Sequence, residues 1–185
     1  MKIKKILCLL ATLTLLSACE VHMAPSEYWS QLFRTQSDSD YYKGKMDDLV
    51  INLTKHVQDY EINRVGVIDL TDEGNKAPIL GEYLASRIVE AMTTNKLFRV
   101  AQKGEVNQAL MQLNLQPAFV YTRAELENLG AALKSQAVLT GKITDLGTNI
   151  DVHAILTDVA TGEVIASATE NINRTKFAIE MLRHH

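Results

Sequence analysis

The stretch NIDVHAILTD, Asn149 to Asp158, decides the fold, because apolar and polar side chains alternate along it. Its apolar residues, one at every second position, are Ile150, Val152, Ala154 and Leu156. The residues between them include Asp151, His153 and Thr157. A period of two is typical of a β-strand with one face in a core. The stretch therefore predicts a half-buried strand, and we expect His153 on its more polar, solvent-facing side.

Two further segments flank this strand and are rich in apolar and β-branched residues. They are QAVLTGKITDL, Gln136 to Leu146, and VIASATENI, Val164 to Ile172. Turn-forming residues separate the three segments, at Leu146-Gly147 and in VATGE, Val159 to Glu163. Because two hairpins then follow one another, the last third of the chain predicts a three-stranded antiparallel meander.

The residues upstream of the meander follow the helical period of 3.6 instead. The first apolar stripe consists of Met46, Leu49, Val50, Leu53, Val57 and Tyr60. A second helix is predicted from Pro78, whose missing N–H costs nothing in a first turn. A third is predicted over Val106 to Leu113, and a capping box formed by Thr122 and Glu125 predicts the start of a fourth.

Two short apolar segments lie between these helices. RVGVIDL, Arg64 to Leu70, predicts a buried strand, and KLFRVA, Lys96 to Ala101, predicts a short one. Since a helix joins them, the two strands can run parallel. The prediction is therefore an α/β fold whose mixed sheet has two N-terminal strands joined through a helix and the C-terminal antiparallel meander, covered by helices.

The N-terminus has the features of a bacterial lipoprotein signal. Three lysines precede an apolar run from Ile6 to Leu16, which is too short to span a bilayer as a helix. Leu16-Ser17-Ala18-Cys19 then resembles the lipobox, in which the thiol is acylated and the chain is cut before it. We expect residues 1–18 to be the signal peptide and Cys19 to carry the lipid. In lipoproteins of this type, an aspartate directly after the cysteine usually causes retention in the inner membrane. This chain has Glu20 at that position, and the absence of the aspartate favours the outer membrane, with the domain facing the periplasm.

Residues 19–45 are expected to form the lipidated N-terminus and a flexible tether, residues 46–174 the α/β domain, and residues 175–185 a tail or short helix. The tether is rich in aromatic residues, namely Tyr28, Trp29, Phe33, Tyr41 and Tyr42. Two interpretations stay open: these rings pack on the domain or sit at lipid headgroups, or they contact a protein partner. The candidate partner or membrane-interface contacts are Tyr28, Trp29, Tyr41 and Tyr42.

Composition limits the classes of function that the chain can have. The 185 residues are 46% hydrophobic and 22% charged, which suits one globular domain with appendages. The two cysteines, Cys8 and Cys19, both precede the predicted domain, which therefore has no disulfide or thiolate metal site. Without residues 1–18 the formal net charge of −3 becomes −6, and no basic block remains for nucleic-acid binding.

The common catalytic motifs are missing from the sequence. It contains no G-x-S-x-G, no phosphate-binding glycine loop and no H-E-x-x-H. We therefore expect no catalytic residue, no metal and no cofactor. Asp69 follows the first predicted strand, a position from which a carboxylate can enter a ligand crevice. The residues of DLTDEG are also those that a solvated turn requires, and a solvated turn is what we expect there.

Five segments, which span about residues 46–172, carry a resemblance to a known family through their order and spacing. They are RVGVIDL, LGEYLASRIVEAM, LFRVAQKGEVNQAL, ELENLGAALKSQAVLTGKITDLG and VHAILTDVATGEVIASA. Together they resemble the FlgO family of outer-membrane lipoproteins and, more distantly, the periplasmic domain of the CsgG curli secretion protein. The most specific parts are the LGEYLA helix start and the TGEVIASA hairpin.

The resemblance implies a flagellum-associated outer-membrane lipoprotein that motility requires and that acts in assembly, not by catalysis. Its expected partners are the membrane, through the lipid anchor, and proteins of the flagellar or cell-envelope assembly, with a homo-oligomer as a further expectation. The alternative is a periplasmic lipoprotein that docks on and regulates a peptidoglycan-synthesising enzyme, because lipoprotein activators of cell-wall synthases have a related domain shape.

Overall fold

A five-stranded mixed sheet organises the computed structural model, which describes residues 37–55, 57 and 60–183. The strands are β1 (Arg64–Val67), β2 (Arg99–Val100), β3 (Ala137–Asp145), β4 (Asn149–Asp158) and β5 (Val164–Asn173). They lie in the order β2-β1-β3-β4-β5. β1 runs parallel to β2 and to β3, whereas β3, β4 and β5 are antiparallel. The predicted α/β fold, with its parallel N-terminal strands and C-terminal meander, is confirmed.

The alternation along β4 is the one that its sequence predicts. Its four apolar side chains at every second position are all fully buried. The register of β4 against β5 shifts between Leu156 and Thr157. Thr157 is buried as well, at 6% exposed, although the alternation assigns it to the polar side, where it lines a small cavity with Tyr121 and Leu126.

Five helices pack against this sheet within the described residues. They are α1 (Asp38–Thr54), α2 (Ile79–Thr94), α3 (Lys103–Gln112), α4 (Arg123–Leu133) and α5 (Lys176–Met181). The capping box predicted for α4 is present: the Glu125 N–H donates to the Thr122 hydroxyl, and the Glu125 carboxylate accepts from the Thr122 N–H at 2.7 Å. The short C-terminal helix is also present and buries Ala178.

The first helix begins eight residues earlier than Met46, the start that the apolar stripe predicts. Ser37 caps it by accepting a hydrogen bond from the Asp40 N–H at 3.2 Å, and Asp38 and Asp40 place negative charge in its first turn. Tyr42 adds one more apolar turn, because it lies four residues before Met46 and is fully buried. Residues 38–45 are therefore helical, although the sequence assigned them to the tether.

Two hydrophobic clusters lie on opposite faces of the sheet. α1, α2 and α5 pack on what we call the first face, with Val65, Leu139 and Val152 from the strands. α3 and α4 pack on the second face, with Ile68 and Val138. The first-face cluster extends over β4 and β5, whereas the second-face cluster is confined to the β1 and β3 side.

Candidate functional site

The chain leaves two neighbouring strands toward opposite faces of the sheet. After β1 it continues into α2, which packs on the first face, and after β2 into α3, which packs on the second. Neighbouring parallel strands whose connections diverge in this way leave a crevice at their carboxyl ends, where open α/β sheets commonly bind ligands. A cavity of about 520 Å³ lies at this point, and we call it the Asp69 crevice.

The crevice has a mostly apolar wall. Its apolar side chains are Val67, Ala85, Val89, Val100 and Ala101. Its polar side chains include Asp69, Ser86 and Lys103. Gly81 fixes the position of the α2 wall, because a Cβ at that residue would overlap the carbonyl oxygen of Leu70. Only glycine lets the first turn of α2 approach the segment after β1 so closely.

Asp69 is buried, so its predicted place in a solvated turn is wrong. The residue is 8% exposed, and its Oδ2 forms an ion pair with Lys103 at the start of α3. The reason is that strand-like pairing with β3 continues past β1: the Thr71 N–H donates to the Gly141 carbonyl at 2.9 Å. The exposed turn comes later, where the Asp72 carboxylate accepts the Gly74 N–H at 2.8 Å.

Tyr41 and Tyr42, two of the four predicted interface residues, pack back on the domain. The ring of Tyr42 is fully buried against Tyr83 and Phe177, with centroids 5.9 and 5.7 Å away. Its hydroxyl shares a 3.1 Å hydrogen bond with Thr175, and burial raises the pKa of that hydroxyl. The Tyr41 hydroxyl accepts the Asn173 N–H at 2.8 Å. This is the first of the two interpretations that the sequence left open.

The other predicted site residues lie outside the described part of the chain. They are Cys19, the expected lipidation site, and the aromatic residues Tyr28 and Trp29. Lipidation at Cys19 and contacts through the two aromatic rings therefore stay predictions.

The second face of β4 and β5 is polar. Lys142, His153 and Thr169 are cross-strand neighbours there, and the His153 Nδ1 lies 2.7 Å from the Thr169 hydroxyl. The ring of Phe119 contacts His153, with the centroids 5.5 Å apart. His153 thus lies on the polar side of the strand, as its place in the alternation predicts, and its imidazole hydrogen-bonds within the sheet.

The described residues contain neither a metal-binding cluster nor a membrane-spanning helix. No group of three or more His, Cys, Asp or Glu side chains among them has a geometry that holds a metal ion. None of the helices in residues 37–183 that the structure describes is long and apolar enough to cross a membrane.

This sheet and its covering helices define a class of small α/β domain that is known from solved structures. The C-terminal domain of LpoB from Escherichia coli is similar, with a TM-score of 0.58 and 18% identity over 72% of this chain and 98% of that one. The corresponding Salmonella enterica domain gives a TM-score of 0.54 and 21% identity over the same shares. The NMR structure of E. coli LpoB gives 0.57 and 17%, covering 73% of this chain and 68% of that one.

The family follows from the sequence. The model of the FlgO protein family matches residues 44–177, which is more than half of the chain, and the chain therefore belongs to the FlgO family. Comparison with curated protein sequences finds no match. The resemblance to the FlgO family inferred from the five segments is confirmed.

The sequence offered a ligand crevice at Asp69 as the less favoured interpretation, and a second signal in its favour was available. Each of the two parallel strands is followed within a few residues by a charged side chain, Asp69 after β1 and Lys103 after β2. Opposite charges after two neighbouring parallel strands meet at one sheet edge. The order of the strands, which the sequence left open, was needed to recognise the pair.

Proposed function

We propose that this protein is a non-catalytic outer-membrane lipoprotein that assembles or stabilises the flagellar envelope apparatus and that motility requires it. The observation that carries the proposal is membership of the FlgO family over residues 44–177. The lipobox at Cys19 and the following Glu20 support a lipid anchor in the outer membrane, with the domain in the periplasm.

The arrangement of the polar side chains supports a binding role over catalysis. On the second face, His153 pairs with Thr169. At the end of β3, the Asp145 carboxylate accepts a hydrogen bond from the Arg174 guanidinium at 2.8 Å. These groups hydrogen-bond to one another across the sheet instead of converging on a reacting centre. Such a surface suits contacts with other envelope proteins or with further copies of this chain.

The length of the anchor segment limits where the domain works. The first helix of the α/β domain is capped by Ser37, 18 residues after Cys19. The connecting chain therefore spans at most about 60 Å when fully extended. The start of α1 at Asp38 shortens the tether that the sequence predicted. A lipid on Cys19 would keep the domain within this distance of the membrane surface.

The alternative role, docking on and regulating a peptidoglycan-synthesising enzyme, has the fold shared with the LpoB domains in its favour. A shared fold does not determine function, because one fold carries many functions. Family membership is the more specific observation, and we therefore place the flagellar role first.

A clean deletion of the gene in a flagellated host tests the proposal. We expect a smaller swimming halo in soft agar, restored by the wild-type gene on a plasmid, with unchanged growth and sensitivity to cell-wall antibiotics. Normal swimming would contradict the flagellar role. Normal swimming together with raised sensitivity to cell-wall antibiotics would favour the regulator instead.

A further inference from the structure

We propose that the Asp69 crevice binds a small organic cation, a protonated amine carried on a short apolar body, with the amine at the Asp69 carboxylate. This inference does not depend on the flagellar role. It rests on the size of the crevice, on an unpaired oxygen of Asp69 and on the charges around it.

The size and lining of the crevice suit a small ligand. Its volume of about 520 Å³ falls in the range of small-molecule sites. Its apolar wall brings together side chains from β1, α2 and the segment around β2, among them Val67, Val89 and Val100. This wall favours an aliphatic body that leaves water on binding.

The Asp69 carboxylate lacks one hydrogen-bond partner. Oδ2 pairs with Lys103, but Oδ1 is buried and accepts no hydrogen bond from any residue that the structure describes. An ionised carboxylate only accepts hydrogen bonds, and a buried acceptor that receives no hydrogen bond is unfavourable. A ligand that donates an N–H at this point would satisfy it.

The charges around the crevice favour a cation over an anion. The open acceptor is an oxygen of a carboxylate, which attracts a cation and repels an anion, and the ammonium group of Lys103 is already paired with the other oxygen of that carboxylate. The Lys103 side chain is 48% exposed and pairs with Oδ2 only, so Oδ1 is left for a second donor. A ligand ammonium group can therefore donate to Oδ1 while Lys103 stays on Oδ2.

Binding of n-hexylamine tests the proposal, because it is protonated at neutral pH, as lysine is. Both hydrophobic clusters lie within residues 37–183, so the measurement uses the chain from Glu20 onward. We expect saturable shifts of backbone amide NMR signals at residues 69, 82–89 and 100–103, with millimolar affinity. 1-Hexanol, with the same body and no charge, should bind about tenfold more weakly, and hexanoate should not bind.

Three variants separate amine recognition from a merely apolar cavity. Asp69→Asn should abolish hexylamine binding, and Ser86→Trp, which fills the crevice from the exposed side of α2, should abolish it as well. Lys103→Met removes the neighbouring ammonium group, which repels a second cation, and should tighten binding about threefold. Thermal unfolding of each variant checks that the fold is kept.

The proposal is overturned by three results. These are no saturable shift in the wild type, equal binding of 1-hexanol and hexylamine, and unchanged hexylamine binding in folded Asp69→Asn. Weaker binding in Lys103→Met would also count against it, because Lys103 would then assist the ligand instead of repelling it.

Discussion

The two halves of the sheet differ in how many of their faces are covered. β1 and β3 have helices on both faces, whereas no helix in the described residues packs extensively on the second face of β4 and β5. The residues follow this difference: β1 reads as a nearly continuous buried run, and β4 alternates. The crevice therefore lies beside the doubly covered half, and the open half presents a polar surface.

The largest expected effect compares the two faces of a single strand. Ile150 is fully buried on the first face of β4, and Ile155 is half-buried on the second. Ile150→Ala should lower the free energy of unfolding by about 4 kcal/mol, since it leaves a cavity in a packed cluster. Ile155→Ala should cost about 1 kcal/mol. Urea unfolding measures both, and equal losses would show that the second face is covered after all.

The next effect tests the close approach that shapes the crevice. Gly81→Ala places a Cβ against the Leu70 carbonyl oxygen, which belongs to the backbone and cannot move aside alone. We expect a loss of about 3 kcal/mol in urea unfolding. Gly104→Ala is the control, because nothing lies within 4 Å of its Cβ, and it should stabilise α3 by up to about 1 kcal/mol. A neutral Gly81→Ala variant would mean that α2 does not lie so close.

A smaller effect concerns α4, one of the two helices that cover the second face of the doubly covered half. Thr122→Ala removes the side-chain cap of α4 and should cost about 1 kcal/mol in the free energy of unfolding. Thr94→Ala, at the exposed end of α2, is the matched control and should change it by less than about 0.5 kcal/mol. If both variants behave alike, the capping box contributes nothing to stability.

The smallest effect is electrostatic and concerns the ion pair that joins the end of β3 to the residue after β5. The hydrogen bond from Arg174 and that from the Gly147 N–H hold the pKa of Asp145 below its ordinary value of 3.8. Because the folded pKa lies below the unfolded one, this stabilisation is fully present above pH 3.8 and is lost as the pH falls through the folded pKa. The free energy of unfolding of Asp145→Asn should therefore fall less steeply with decreasing pH in this range. Identical pH profiles would rule out a role for the pair in stability.

The sequence predicts local features of this fold better than features that depend on strand order. The alternation around Ile150 and the capping box at Thr122 are local, and both are confirmed. The start of α1 was missed because Ser37 and Tyr42 lie in a polar segment without a sustained apolar period. The burial of Asp69 depends on the faces to which α2 and α3 turn, and no local pattern encodes that.

In the proposed role, the domain acts in motility while it is anchored by lipid at Cys19. A deletion strain is complemented with a variant chain that cannot be lipidated. In this variant, an ordinary cleavable secretory signal replaces the first 18 residues, and Cys19 is changed to serine. Its level in the periplasm is matched to that of the wild type. We expect this folded, unanchored protein to leave the swimming halo as small as in the deletion strain, whereas the wild type restores it. Full restoration of swimming by the unanchored protein would show that motility does not depend on the lipid anchor.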